Sequence, residues 1–291
     1  MNTDISALGA RVSLPALTRV AQGVRTLPVA RPLSELLSDV EGALGAGARR
    51  ASYNSNLVTA VQLAATLPLV HRTADPAQPL TWQEILRTGE LRVSTGITEE
   101  ERRCRWSRAV YFFLGSAAYH KGNVAFVFDR AVSGTVSGNF SPFDSGGLSG
   151  GLLEPINAGS WDVNDRARCL DRHSTDVADV EAFAGPYIAA HFNQPASYVS
   201  RPQRSDTDFA VYHELRSTNG DRRAWTIEVR LHGDVTLDLP RGSLLHIVLA
   251  NRALEADVPD NLLEHVMFAD AEPEGEGDVA RTTAEIVLGR R

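Results

Sequence analysis

Lysine is almost missing from this chain: Lys121 stands alone against 28 arginines. A bias toward GC-rich codons accounts for that imbalance. Cysteine is scarce too. Cys104 and Cys169 cannot build a disulfide framework, and they lack the paired spacing of a zinc site. No apolar run approaches the roughly 18 to 20 residues a membrane-spanning helix needs. The longest, Val110 to Leu114 and Val124 to Phe128, are far shorter. The opening MNTDISALGARV has an early acid and no apolar core, so no signal peptide is expected. These absences lead to the expectation of a cytoplasmic protein without membrane contact. Phosphate-loop and dinucleotide glycine fingerprints are missing, as are HExxH and CxxC. Nothing selects a metal site, and none is expected.

What is present is ordinary globular composition: 291 residues, 43% hydrophobic and 22% charged. That length suits one large domain or one domain with an appendage. The net charge of −7 argues against a whole-protein grip on nucleic acid. The charge is uneven, however. Ala269 to Asp278 is acidic, whereas Glu101 to Arg108 (ERRCRWSR) is locally basic.

Residues 1–65 read as a helical segment and 66–291 as the main domain. Leu33, Leu36, Leu37, Val40 and Leu44 recur at helical spacing, and a second helix is expected over Asn56 to Ala65. From Leu67 the texture changes to short strands. Thr81 with Glu84 three residues on predicts a capped helix over Trp82 to Thr88, ending at Gly89. Strands are expected over Ala109–Leu114, Val124–Asp129, Ala224–Leu231, Val235–Leu239 and Leu244–Leu249. A short helical turn is expected over Gly115 to Tyr119 and a helix over Val180 to Phe192. Residues 133–151 are rich in glycine and serine and read as a long loop. The mixture predicts an α+β fold rather than a doubly wound parallel sheet.

Three segments stand out. The first holds His71, Arg72 and Thr73, then Ile85, Gly89 and Leu91. The second holds Tyr111, Phe112 and Tyr119. The third is Trp225-Thr-Ile-Glu228-Val-Arg-Leu. Together, in this order, they resemble the His-Tyr-Glu branch of the ADP-ribosyltransferase superfamily, and DarT-like bacterial toxins and phage-defence transferases in particular. The resemblance spans residues 69–250. It implies a split antiparallel β-sheet core with flanking helices. It also implies NAD as substrate and transfer of ADP-ribose to a nucleic acid or protein, with an antitoxin or regulator as a further partner.

Breaking the nicotinamide–ribose bond of NAD develops positive charge on the ribose and releases a neutral leaving group. Such a reaction needs an anion near the ribose and a rigid clamp on the nicotinamide. The resemblance assigns the anion to Glu228 and nicotinamide stacking to Tyr119. Tyr111 would line the same pocket. His71 would hydrogen-bond the adenosine ribose, and the main chain at Arg72 would hold the carboxamide. Arg72 stands where the family often has glycine. The short interval from Tyr111 to Tyr119 points to mono- rather than poly-transfer. Each residue also has a plainer reading. His71 suits a structural hydrogen bond, Tyr111 a core position, Glu228 a solvated strand face, and Glu214 is a rival glutamate. For the acceptor, Arg105 and Arg108 are candidates against a solvated basic surface. Phe143 and Asp144 are candidates against a Pro-Phe anchor tucked into the core. Water as acceptor would make a glycohydrolase. A catalytically silent binding domain is the remaining reading.

Overall fold

The structure, a computed structural model, describes residues 31–44, 47–73, 81–115, 123–155, 160–200, 215–217, 222–237, 241–269 and 278–290. Tyr119 and Glu214 lie outside the described residues, as does the expected turn beyond Gly115.

Helix α1 (Leu33–Leu44) lies where its spacing predicts. Helix α2 spans Ala48–Thr66, longer than expected, because its first turns (Ala-Arg-Arg-Ala) are good helix formers. Strand β1 (Leu69–Arg72) follows, then α3 (Trp82–Thr88). The Thr81–Glu84 capping box is formed, and Gly89 ends the helix at φ 70°. The next elements are β2 (Glu90–Leu91), α4 (Glu99–Arg103), β3 (Val110–Leu114), β4 (Val124–Phe128), β5 (Gly138–Ser141) and α5 (Ser145–Ser149). After them come β6 (Leu153–Pro155), α6 (Val163–Arg172), β7 (Thr175–Asp176), α7 (Val180–His191), α8 (Ser197–Ser200) and β8 (Leu215–Ser217). The described chain closes with β9 (Glu228–Leu231), β10 (Val235–Thr236), β11 (Leu244–Leu249), β12 (Val266–Phe268) and α9 (Val279–Val287).

Eight strands form one sheet in the order β12-β11-β4-β1-β3-β9-β5-β7. Every pairing is antiparallel except β11 with β12, so the fold is α+β with a largely antiparallel sheet. One face is apolar along its length: Phe126, Phe112, Val229 and Phe140 join the core that α1, α2 and α7 cover. The α1–α2 segment therefore shares the core of the sheet. Helices α2 and α7 approach closely at Gly185, where a Cβ would stand 2.7 Å from a Val61 methyl.

Two expectations need correction. Residues 133–151 are not a loop; they hold a 3-10 turn, β5 and α5, and β5 pairs with both β9 and β7. The small residues there answer to crowding rather than flexibility. A Cβ on Gly138 would lie 2.4 Å from the Arg230 carbonyl oxygen. The strand expected from Ala224 begins only at Glu228, because Arg222–Ala224 coil into a 3-10 turn.

Candidate functional site

The β1–β3 ladder is short. It pairs Leu69 with Leu114 and Val70 with Phe113, and goes no further. On its other side β1 stays paired with β4 as far as Arg72. The sheet therefore forks. His71 stands at the fork, with Nδ1 2.9 Å from the Tyr111 carbonyl oxygen, where it donates a side-chain hydrogen bond. Its ring packs edge-on against Phe112 at 5.7 Å. Burial pushes the imidazole down to about 4, so His71 is neutral at physiological pH.

The fork opens a cleft of about 340 Å³. Residues from β1 (His71, Arg72), β3 (Tyr111, Phe113) and β9 (Glu228) line it. The segment Ser94–Thr98 and Glu101 line another side, and Asp144, Ser145 and Gly146 complete it. Ile85 and Leu91, from the first of the three sequence segments, also reach the wall.

Period-2 geometry puts Glu228 and Arg230 on the same face of β9. Both are about 1% exposed. Glu228 Oε1 accepts from Arg230 Nη1 at 2.6 Å and from the Ser145 N–H at 3.3 Å. Arg230 is held on every side. Its Nε donates to Asn139 Oδ1 at 2.6 Å, and its Nη2 donates to Ser174 Oγ at 3.3 Å. Its guanidinium carbon lies 4.2 Å over the Trp106 ring. Burial raises the Glu228 carboxyl well above the ordinary range. Arg230 opposes that rise, and Asp144 and Glu101 add to it.

Glu101, about 1% exposed, is the hub of the opposite wall. It closes a capping box with Thr98 at the start of α4. It also accepts from the Tyr111 hydroxyl at 3.1 Å and the Ser145 hydroxyl at 2.9 Å. Burial, then Glu101 and Glu228, push the Tyr111 phenol far up, so it stays a donor. Asp144 is also about 1% exposed. Its Oδ1 accepts from the Gly147 N–H at 3.0 Å, capping α5. Its Oδ2 stands 3.9 Å from Arg223 Nε and receives no hydrogen bond among the described residues. Burial is the main cause of its raised pKa.

The cleft thus gathers His71, Arg72, Tyr111, Asp144 and Glu228 from distant parts of the sequence. Other expected residues stand elsewhere. Thr73 does not line the cleft. Phe143 is a correction: it is fully buried and packs against His173, so it anchors the core rather than meeting a substrate. Arg105 and Arg108 are exposed and outside the cleft lining. Arg105 takes a left-handed turn (φ 61°) that tucks Trp106 inward beneath Arg230 and leaves the arginine outside. Arg102 and Arg103 pair with Glu99 on the surface.

Sequence reasoning missed Glu101, Ser145 and Arg230. The Thr98-x-x-Glu101 capping signature was legible, and so was the i, i+2 pairing of Glu228 with Arg230. Ser149 lies in a Gly-Leu-Ser-Gly-Gly run, but its hydroxyl donates to Glu100 at 2.7 Å, with the Ser145 carbonyl oxygen 3.1 Å away. Above the site, α4 and α6 are joined by Arg166 and Glu100 at 2.7 Å. Both cysteines lie in this layer and are buried. The Cys104 thiol donates to the Ala167 carbonyl at 3.3 Å, and burial pushes it up to about 12.

Among the described residues no group of His, Cys, Asp or Glu side chains could hold a metal ion. The carboxylates of the cleft already accept from Arg230, Tyr111, Ser145, Thr98 and Gly147. Among the described residues no helix is long and apolar enough to cross a membrane. Set against protein-family models, curated proteins and solved structures, the chain matches none.

Proposed function

We propose that this chain is a mono-ADP-ribosyltransferase that uses NAD to modify a macromolecule, in the manner of a toxin or phage-defence effector. One observation carries the reading. His71, Tyr111 and Glu228 come from three segments singled out by pattern alone, and all three line one cleft.

A volume of about 340 Å³ falls near the lower end of ligand sites, which run from about 300 to 1,000 Å³. That size suits the nicotinamide–ribose end of the dinucleotide better than the whole molecule. Ile85, Leu91, Val110 and Phe113 supply apolar wall for a flat ring. Glu228 supplies the anion. Its ionised form is favoured by Arg230 and disfavoured by burial and two neighbouring carboxylates. The cationic nicotinamide ring of NAD tips that balance toward the carboxylate. Positive charge developing on the ribose tips it further. Arg230 holds the carboxylate in one orientation, so little reorganisation accompanies bond breaking. Neutral His71 fixes the fork that shapes the cleft.

The test is incubation with labelled NAD, with and without cell extract, followed by nuclease or protease. Wild-type protein is expected to release nicotinamide and label a macromolecule. Glu228→Gln is expected to lower that rate by about 10²–10³ with the fold intact. Unchanged NAD consumption by Glu228→Gln would overturn the assignment. Free ADP-ribose as the sole product would make water the acceptor.

A further inference from the structure

We infer that Asp144 is the general base that deprotonates the acceptor, and that the acceptor is therefore a neutral O–H or N–H nucleophile. This inference rests on the transferase reading above. Asp144 lines the cleft beside Glu228, and its two oxygens have different duties. Oδ1 caps α5 through Gly147, which fixes the side chain. Oδ2 receives no hydrogen bond among the described residues. Capping explains one oxygen; the other faces Arg223 Nε at 3.9 Å without a hydrogen bond and can still take a proton.

The surroundings suit a base. Asp144 has Glu228 of β9 and Arg223 of the 3-10 turn as its charged neighbours, and Glu101 of α4 lines the same cleft. Tyr111, His71 and Arg72 border the same cleft. Burial raises the Asp144 carboxyl above its ordinary value, against the Gly147 N–H and Arg223, so its carboxylate binds a proton more readily than an ordinary one.

The step balances. The C1′–N bond breaks, and its electron pair stays on nitrogen, giving neutral nicotinamide. The acceptor lone pair forms the new bond to C1′. The acceptor proton passes to Asp144 Oδ2 and then to solvent. An acceptor that is already an anion needs no base, and three nearby carboxylates would repel it.

The experiment compares wild type, Asp144→Asn and Asp144→Ser. Asparagine and serine both keep the cap and remove the base. Each is expected to retain NAD binding and cooperative unfolding while transfer falls by about 10². The acid limb of the residual pH profile is expected to move to lower pH, because Glu228 loses its neighbouring charge. Added formate is expected to restore part of the transfer by Asp144→Ser, a rescue that a merely structural Asp144 would not show. The attached label is expected to survive neutral hydroxylamine, which cleaves esters of carboxylates. Wild-type transfer rates in both variants, no rescue of Asp144→Ser by formate, or label lost to hydroxylamine would each overturn the inference. In those cases a dead Glu228→Gln would leave the transferase reading standing. A wild-type protein that never consumes NAD would overturn both.

Discussion

The second face of the sheet is two surfaces side by side. On β4 and β11 it presents Ala125, Val127 and Val248, with Val70 of β1 beside them. Val279 and Ala280 of α9 cover this half, which is dry and made of small apolar side chains. Two strands away, the same face presents Tyr111 on β3, Glu228 and Arg230 on β9, and Asn139 and Ser141 on β5. Here the cover is α4, α5 and the polar segment before α4. The backbone pleat is the same in both halves, and the side chains decide the outcome. The change falls at β1, where Val70 belongs to the dry half and Arg72 reaches the cleft. A sheet that buried apolar side chains on both faces throughout would leave no site. A sheet that was polar throughout one face would lose the packing that holds its strands in register.

The largest effect should come from breaking this division in the dry half. Val127→Glu buries a charge with no partner under α9, and a loss above about 4 kcal/mol is expected. Loss of cooperative unfolding in urea would show it. In the polar half, Arg230→Ala removes the partner of a buried carboxylate and should destabilise by about 3–5 kcal/mol. Glu228→Leu with Arg230→Met makes the polar half resemble the dry one. That double variant should recover most of the lost stability while transfer stays absent. Recovery of both stability and activity would refute the division of labour.

Acid separates the halves of the site with a smaller effect. The unfolded chain protonates His71 near its ordinary value of 6.5, whereas the folded chain resists until about 4. Stability held above 6.5 is therefore lost as pH falls toward 4, by about 2 kcal/mol between pH 7 and 5. The Glu228–Asp144 pair works in the opposite direction. Its raised pKa means the folded state binds a proton that the unfolded state does not, so acidification favours folding through the pair. His71→Gln should remove the first trend and expose the second in denaturant titrations at pH 7 and 5. Smaller again, Thr98→Ala removes the α4 cap and should cost about 1 kcal/mol. Arg105→Ala, on the exposed surface, should shift stability by no more than about 0.5 kcal/mol.

Local features were legible in the sequence. The α1 spacing, the Thr81–Glu84 box and the Val- and Phe-rich strands all form as read, because short-range chemistry decides them. The Gly- and Ser-rich residues 133–151 misled, because composition does not distinguish a free loop from a strand crowded against Arg230. The cleft was legible in part. His71, Tyr111 and Glu228 carry a pattern in order. Glu101, Ser145 and Arg230 matter through contacts between segments far apart in the chain, which no local window reports. Phe143 and Asp144 are neighbours in sequence but go to the core and the cleft respectively, a split that only the start of α5 decides.

The two buried cysteines turn the cover of the cleft into its own reporter. Cys104 and Cys169 lie in α4 and α6 territory, shut from solvent. A thiol reagent can reach them only when that layer lifts, and buried Cys104 is also a poor nucleophile until it does. The rate of labelling is therefore a clock for opening of the roof over Glu228. On the transferase reading proposed above, NAD added to the protein should slow that clock, and no engineered probe is needed to read it.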